Sequence, residues 1–338
     1  MFLSLNIIMI DFAKELKKES FDEKIKYIKV LQTHISWVFL TGKYAYKIKK
    51  PVNFGFLDFS TLRKRKKFCE RELEVNKRFS PDMYLDVLPI TKNKNCFKIN
   101  GSGKIIEYCI KMKEIPQKYL MDKLLEKGKI NKDVIDKIAK IVSDVYSRER
   151  SNEKMRKIGS KNIKYNFDEN FEQTKQFVGG LISKNAYDTI RKIVYNFMEK
   201  NKGVFKKRVK NIILCHGDLH SGNIFVYKRI YIFDAIEFND RFIYLDPAAD
   251  VAFLAMDLEF KKRKYLADFF VKKYVEYSDD KGILDVIDFY KCYRAYVRAK
   301  VNALKSKDPR IKISEKLESE KIAKKYFYLS LKYAKSFS

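Results

Sequence analysis

The apolar pattern of the chain changes at about Pro116, and this change does most to limit the possible folds. Before Pro116, alternating runs predict strands, including residues 35–40 and 44–49 on either side of a Thr-Gly-Lys turn. Beyond it, apolar residues recur at helical spacing, interrupted by a strand-rich interval at about 211–234. We predict an α+β bilobal protein with a small antiparallel-sheet lobe (residues 1–113) and a larger, mainly helical lobe (residues 114–338).

Three more elements are expected in the smaller lobe. Helical apolar spacing predicts helices over residues 11–31 and 62–79. Runs at Cys96–Ile99 and Lys104–Met112 flank Asn-Gly-Ser-Gly at 100–103, and this pattern favours a hairpin. The apolar start, residues 1–10, has no Lys or Arg before its apolar run and no small-residue cleavage site, so we do not interpret it as a signal peptide.

One segment, residues 212–226, has the sequence IILCHGDLHSGNIFV. An apolar strand leads into a loop that contains Asp218 and, five residues later, Asn223. Two short strands follow, and Asp234 comes directly after the second. Two Asp and one Asn in this order suit phosphoryl transfer, with Asp218 accepting a hydroxyl proton and the other two binding Mg²⁺. Each residue alone has a structural alternative as a helix cap, a turn residue or a strand end.

The spacing of these two strands predicts how Asn223 and Asp234 are placed. If Lys228 and Arg229 alone form the loop between them, Asn223 lies directly opposite Asp234. Opposed side chains in a hairpin have Cβ atoms about 4.5–5.5 Å apart, which allows both to bind one cation. Lys-Arg is not the favoured composition of a two-residue turn, so a different register remains open.

The run His216-Gly217-Asp218-Leu219-His220-Ser221-Gly222-Asn223, followed by Ile232-Phe233-Asp234, resembles the motifs of the aminoglycoside phosphotransferase family. These are small-molecule kinases with a protein-kinase-like fold. A closer resemblance, from about residue 30 to 335, is to an uncharacterised branch of that family. It rests on Thr33–Trp37, Tyr44–Pro51, Phe54–Ser60, Asp234–Arg241, Asp246, Asp250 and Phe253–Leu258. The resemblance implies an ATP- and Mg²⁺-dependent phosphotransferase that acts on a hydroxyl of a small molecule, with Asp218 as catalytic base.

The resemblance also implies a lysine that binds the nucleotide phosphates and a glutamate that pairs with it. Lys47 is the first candidate for the lysine, and Lys49, on the same strand face, is the alternative. Glu72 is the first candidate for the glutamate, and Glu70 is the alternative. A buried lysine needs such a partner, because an unpaired buried ammonium is costly.

Further roles are implied at the connection between the lobes and around the catalytic loop. The backbone near Met112, Lys113 and Glu114 would contact adenine, although Met112 is also a natural core residue. Asp250 would brace the catalytic loop or cap a helix, and His216 would support the shape of the loop. The sequence departs from the kinase pattern in having no Gly-x-Gly-x-x-Gly over the phosphates.

Arg294 and Arg298 are four apart on a predicted helix and share a face. In this family the C-terminal helices line the acceptor cleft, so these arginines would bind an anionic acceptor. The alternative is a structural pair that bonds acidic residues of a neighbouring helix. An aminoglycoside is the least favoured acceptor, because no acidic cluster on these helices would attract a polycation.

The formal charge of +29, from 72 Lys and Arg against 43 Asp and Glu, points to nucleic-acid or anionic-membrane binding. However, the lysines are spread along the chain, and no nucleic-acid readout module is visible. We therefore expect no dedicated nucleic-acid site. No apolar run is long enough to span a membrane, and the odd, scattered cysteines are typical of a cytoplasmic protein. No feature of the sequence specifies an oligomeric state.

Three other functions are compatible with parts of the sequence. The first is a Ser/Thr protein-kinase-like enzyme, and the second is a nucleotide- or nucleic-acid-binding protein without catalysis. A salt titration of RNA and DNA affinity separates a dedicated nucleic-acid site from diffuse electrostatics. The Gly-Asp-Leu-His run at 217–220 also resembles a metallophosphoesterase signature, but those sites need several histidines and this chain has three.

Overall fold

The structure, a computed structural model, describes residues 10–94 and 96–338. Most of the apolar N-terminal segment discussed above, residues 1–9, lies outside the described residues. The chain forms two compact units. The smaller unit contains the residues up to Gln117 together with Tyr231–Asn239, and the larger contains Lys118–Ile230 with Asp240–Ser338. The segment with Asp234 therefore belongs to the smaller unit, whereas the sequence places it in the larger lobe.

The smaller unit is built on an antiparallel sheet with the strand order β1-β2-β3-β6-β4-β5. Its strands are β1 (Lys29–Gln32), β2 (Ser36–Leu40), β3 (Tyr44–Lys49), β4 (Tyr84–Asn93), β5 (Cys96–Ile99) and β6 (Lys104–Lys113). Its helices are α1 (Phe12–Glu15) and α2 (Leu62–Lys77). Thr61 caps α2 by accepting a hydrogen bond from the backbone N–H of Lys64.

The predicted β2–β3 hairpin is confirmed. Leu40 pairs with Ala45, and the intervening turn has Gly42 at φ +96°, a conformation that favours glycine. The hairpin places Lys47 and Lys49 two residues apart on β3, so both side chains leave the same face of the sheet.

The helix predicted over residues 11–31 is wrong. This segment contains α1, a 3₁₀ turn at Lys18–Ser20 and strand β1. The apolar side chains that suggested a helix, Phe12, Leu16 and Phe21, are nevertheless buried in the core of the smaller unit. The spacing of these residues correctly indicates that they are buried, but it does not require a helix, because short irregular segments bury the same side chains.

The predicted hairpin of residues 96–99 with residues 104–112 is also wrong, although both strands exist. Strand β4, which the sequence did not predict, lies between them and pairs with both. The 100–103 turn therefore crosses over β4. A Cβ on Gly103 would lie 2.9 Å from the carbonyl oxygen of Lys92, so glycine allows this close crossing.

The larger unit is mainly helical, as predicted. Its helices are α3 (Met121–Glu126), α4 (Lys132–Arg148), α5 (Glu153–Thr174), α6 (Lys184–Lys200), α7 (Lys202–Arg208), α8 (Asp240–Ile243), α9 (Ala248–Phe260), α10 (Lys264–Ser278), α11 (Ile287–Ser306) and α12 (Ile313–Ser336). Helix α9 is buried from Ala248 to Leu258 and packs against α10 and α11. A helix that is apolar on all sides belongs in the centre of a core.

The strands near the predicted loop are β7 (Ile213–Leu214), β8 (Ile224–Val226), β9 (Ile230–Ile232) and β10 (Tyr244–Leu245), and β7 pairs with β10. Three residues separate β8 from β9, and the N–H of Tyr227 donates to the carbonyl of Arg229 at 3.0 Å. The two-residue loop is therefore wrong, and with it the register that paired Asn223 with Asp234. Within the described chain, no helix combines the length and apolar content that a membrane span requires.

Candidate active site

Strand β3 and helix α2 bring two lysines to one glutamate in the smaller unit. Lys47 Nζ donates to Glu72 Oε1 at 2.7 Å, and Lys49 Nζ donates to Glu72 Oε2 at 2.5 Å. The Glu72 side chain is fully buried, and that of Lys49 is 1% exposed. Glu70 is exposed and pairs with Lys66. The two lysines that the sequence offered as alternatives thus share one glutamate, Glu72.

Residues 234–237 supply two further carboxylates to these lysines. Lys47 Nζ also donates to Asp234 Oδ1 at 2.6 Å, and Lys49 also donates to Glu237. Asp234 has φ +62°, a left-handed conformation that is uncommon outside glycine and that aspartate tolerates better than most residues. We name these five residues, Lys47, Lys49, Glu72, Asp234 and Glu237, the lysine–carboxylate cluster.

Two side chains of the smaller unit hold the backbone of residues 234–235. The Tyr84 hydroxyl accepts from the N–H of Asp234 at 3.1 Å. The Asn76 Oδ1 accepts from the N–H of Ala235 at 2.8 Å, and its Nδ2 donates to the carbonyl of Glu72. The carboxylates of this segment are therefore positioned by backbone hydrogen bonds as well as by the lysines.

The cluster keeps its lysines charged. Burial alone would lower the pKa of Lys47, but the carboxylates of Asp234 and Glu72 raise it well above its ordinary value. Burial would raise the pKa of Glu72, but the charges of Lys47 and Lys49 hold it below its ordinary value. Burial raises the pKa of Glu237 despite the opposing charge of Lys49. Each lysine of the cluster stays charged because of the carboxylates around it, and Glu72 stays charged because of the lysines.

The segment predicted to contact adenine is bonded into the smaller unit. Met112 is buried, as its core alternative anticipates. The N–H of Lys113 donates to the carbonyl of Met83 at 2.8 Å. The Glu114 carboxylate accepts from the N–H of Gly42 at 2.7 Å, so it supports the β2–β3 turn.

In the larger unit, Asp250 on α9 holds the loop that precedes Asp218. Its Oδ2 accepts from the backbone N–H groups of His216 and Gly217 at 2.8 and 3.0 Å. The Tyr146 hydroxyl donates to the same oxygen at 2.6 Å. Gly217 has φ +84°, which a side chain would disfavour. Asp250 thus occupies a bracing position against the loop.

Arg294 is buried against the same loop. Its guanidinium donates to Asp250 Oδ1 at 3.0 Å, to the carbonyl of Gly217 at 2.9 Å and to the carbonyl of Ala249 at 3.0 Å. These three hydrogen bonds occupy most of the donors of the Arg294 guanidinium, so few remain for an external anion. Of the two roles that the sequence left open for Arg294, the structural one matches this geometry.

Asp218 follows the braced residues, and its side chain is 37% exposed. Its Oδ2 accepts from Asn223 Nδ2 at 3.0 Å and lies 3.4 Å from His220 Nε2. His220 Nδ1 accepts from the N–H of Gly222, so in its neutral form His220 carries its proton on Nε2 and directs it toward Asp218. Among the described residues, nothing hydrogen-bonds Asp218 Oδ1. One oxygen is thereby anchored and the other left available.

The charge state of Asp218 follows from its neighbours. Burial would raise its pKa, but the charge and hydrogen bond of His220, with the charges of Arg298 and His216, hold the pKa well below its ordinary value. Arg298 is half-buried on α11, 5.8 Å from the ring of Tyr326. Within the described part of the chain, no carboxylate forms an ion pair with Arg298.

Asn223 and Asp234 each have a side-chain oxygen of the kind that binds a hard cation. Asn223 directs its amide nitrogen to Asp218, so its Oδ1 has no hydrogen-bond donor within residues 10–94 and 96–338. The same holds for Asp234 Oδ2. Amide and carboxylate oxygens are ligands that Mg²⁺ accepts, usually with water and substrate phosphates completing its shell. Across the described residues, no three His, Cys, Asp or Glu side chains group as a metal site.

Sequence reasoning missed Glu237 and Asp257. Glu237 is not among the predicted site residues, yet it pairs with Lys49. Asp257 accepts from the N–H of Ser221 at 2.9 Å and so holds the far end of the loop that contains Asp218. Asp250 and Asp257 are seven residues apart and share a face of α9. Two aspartates at this spacing in an otherwise mainly apolar helix are a sequence pattern from which both contacts to the loop could have been predicted.

No protein-family model matches the chain. Uncharacterized proteins of Mycobacterium bovis and of two strains of Mycobacterium tuberculosis are 31% identical to it over 285 residues. The match covers 82% of this chain and 55% of each relative. The chain thus spans about half the length of the curated relatives it matches.

Solved structures identify the fold. The GDP and kanamycin complex of APH(2")-IIia, an aminoglycoside phosphotransferase, aligns with a TM-score of 0.56 at 12% identity, covering 90% of this chain and 94% of that one. A choline/ethanolamine kinase family protein from Mesorhizobium loti aligns at 0.52 and 12%, covering 92% and 93%. Plasmodium vivax ethanolamine kinase aligns at 0.51 and 15%, covering 92% and 85%. The chain has the kinase-like fold of these small-molecule phosphotransferases, which confirms the predicted fold class and the resemblance at the level of fold.

Proposed function

We propose that the protein is an ATP- and Mg²⁺-dependent phosphotransferase that transfers the γ-phosphate to a hydroxyl of a small molecule, and that it belongs to the aminoglycoside phosphotransferase family. The observation that carries this proposal is the geometry of Asp218. Its Oδ2 is held by Asn223 and lies beside His220, while its Oδ1 is available. The kinase-like fold supports the reaction class. Because all five cysteines are free thiols, we place the reaction in the cytoplasm.

Asp218 acts as the general base in this proposal. The acceptor oxygen forms a bond to the γ-phosphorus while the bond from that phosphorus to the bridging oxygen breaks and ADP leaves. The acceptor proton passes to Asp218 Oδ1, and Asp218 is ionised before this transfer because its pKa is held low. Bound Mg²⁺ would neutralise charge on the phosphates. Asn223 Oδ1 and Asp234 Oδ2 would hold this ion, and Lys47 would position the phosphates.

A metabolite extract incubated with γ-labelled ATP tests the proposal, with γ-labelled GTP in parallel. The wild-type protein should label one or a few small molecules in a Mg²⁺-dependent manner, and Asp218→Ala should label none above background. Labelling of proteins alone would favour a protein kinase. If Asp218→Ala labels the same product at the wild-type rate, the assigned base is wrong.

We further propose that the acceptor carries a negative group that Arg298 binds. Arg298 lies within electrostatic reach of Asp218, and among the described residues it has no ion-pair partner. A half-buried guanidinium that no carboxylate contacts directly suits a ligand anion, whereas Arg294 is committed to the loop.

Replacing Arg298 with glutamine should raise KM for the acceptor by roughly tenfold to a hundredfold, because a charge-assisted hydrogen bond is lost. The change in kcat should be small. Steady-state kinetics on the product of the labelling screen provide the measurement. Lys305→Gln, on the exposed surface of the same helix, is the matched control. An unchanged KM, or a cationic acceptor in the screen, would argue against an anionic acceptor.

A further inference from the structure

We propose that the larger unit contains a second binding site, for a small neutral aromatic molecule that carries one N–H or O–H donor. The site is a cavity of about 270 Å³ lined by α5, the segment from α7 to β7, β10, and the facing sides of α9 and α11. Asp218, Asn223 and Arg298 are not among its lining residues. The inference therefore does not depend on the proposed phosphotransferase activity.

The walls of this cavity are mainly apolar and aromatic. Phe205, Ile212 and Leu245 contribute apolar surface, and Tyr290 and Tyr293 of α11 contribute aromatic rings. A dry apolar cavity of roughly 150 Å³ is enough for benzene, so this volume leaves room for a bicyclic ring. Ligand sites of this kind combine apolar walls with a few polar groups that fix orientation.

The two buried charged residues in the lining, Arg208 and Asp246, are paired with each other. Arg208 donates from Nε and Nη2 to both oxygens of Asp246, at 2.5 and 2.7 Å, and from Nη1 and Nη2 to Asp280. Both Arg208 and Asp246 are buried. An ionised ligand would gain no counter-charge from this pair while losing its hydration. Lys206, the other charged residue in the lining, is exposed to solvent, so the buried part of the cavity favours a neutral occupant.

One buried acceptor in the lining has no partner. Asn166 on α5 is 3% exposed, and its Oδ1 receives no hydrogen bond from any described residue. A buried acceptor without a donor destabilises a protein, and a ligand N–H or O–H would remove this penalty. Asn162, one helical turn earlier, also lines the cavity, but its Nδ2 donates to the carbonyl of Arg241. The Asn166 Oδ1 is thus a buried acceptor that a ligand donor would satisfy, beside the Tyr293 hydroxyl.

At one end of the cavity, α5 packs closely against its neighbours at Gly159. A Cβ on Gly159 would lie 2.6 Å from the Ile212 side chain and 2.7 Å from the carbonyl of Tyr244. The helix is therefore already in contact with its neighbours at this point.

Indole and 1-methylindole, which differ by one N–H donor, test the proposal by isothermal titration calorimetry. Indole should bind the wild-type chain saturably at one site, and 1-methylindole should bind about tenfold more weakly. In Asn166→Leu, which removes the acceptor at similar volume, this difference should disappear. Equal affinity of both probes for the wild type would overturn the proposal, because the donor would then contribute nothing.

A variant that fills the cavity provides the second test. Val209 lines it and is half-buried, so Val209→Phe should occupy the space and abolish indole binding without loss of folded structure. Circular dichroism and thermal unfolding report whether the fold is kept. Unchanged indole binding in a folded Val209→Phe protein would place the binding elsewhere. Absence of saturable binding up to the solubility limit of indole would show a cavity filled by water only.

Discussion

Replacing Asp218 with alanine should lower the rate of phosphate transfer by about 10²–10⁴-fold, the range expected for losing a general base. Nucleotide affinity should stay within about a factor of two, because only transition-state stabilisation is removed. The loop should keep its shape, since Asn223 Nδ2 also donates to the backbone carbonyl of Asp218 at 3.0 Å. Single-turnover rates and nucleotide titrations measure the two effects separately.

Asp218→Asn and Asp268→Ala are the matched variants. The asparagine keeps the size of the side chain and one oxygen but not the basicity, so it should lose activity nearly as completely as alanine. Asp268 is exposed and pairs with Lys264 on the surface, and its replacement should leave the rate unchanged. Full activity in Asp218→Asn would mean that this carboxylate accepts no proton during the reaction.

The pH profile is a second readout of Asp218. Because its pKa is depressed, the carboxylate stays ionised well below the range in which a free aspartate titrates. The profile of kcat/KM should therefore show no acid limb from Asp218 between about pH 8 and pH 5. The ionised Asp218 also stabilises the folded state. This contribution is present above the pKa of Asp218 in the unfolded state, and it is lost as the pH falls through the lower pKa of the folded state.

The sequence was most informative where local chemistry and fold coincide. The order of Asp218, Asn223 and Asp234 depends on side-chain types that few structural roles require together. The β2–β3 hairpin depends on a local turn, with Gly42 in the conformation that its type predicts. A turn of this kind needs only nearby residues to be read correctly, and the β2–β3 hairpin forms where the sequence predicts it.

The rest depended on contacts between residues distant in sequence. Strand β4 lies between β5 and β6, which the sequence predicts as a hairpin. The order β6-β4-β5, with the 100–103 turn packed against β4, depends on tertiary contacts that the local sequence does not show. Arg294 shares a helix face with Arg298, but bonds to Gly217 and Asp250 commit it to the loop. Periodicity identifies which face a residue occupies, whereas its partner depends on the tertiary fold.

The lysine–carboxylate cluster gives the largest expected effect on stability. Lys49→Met should lower the free energy of unfolding by about 3–5 kcal/mol, because it leaves Glu237 buried without its cation. Lys49 is buried and pairs with Glu72 and Glu237, so solvent does little to screen the loss. Urea unfolding curves measure the change. Lys66→Met, at an exposed ion pair with Glu70, should change stability by less than about 0.5 kcal/mol.

The double variant Lys49→Met/Glu237→Gln separates the loss of an ion pair from the loss of packing. Glutamine removes the charge that Lys49→Met leaves uncompensated, while Glu72 keeps its bond to Lys47. The double variant should therefore be more stable than the sum of the two single changes predicts, by about 1–3 kcal/mol. Strict additivity would mean that Lys49 stabilises the unit through its bond to Glu72 or its packing, and not through Glu237. Coupling of the expected size would instead mean that the ion pair between Lys49 and Glu237 itself stabilises the smaller unit.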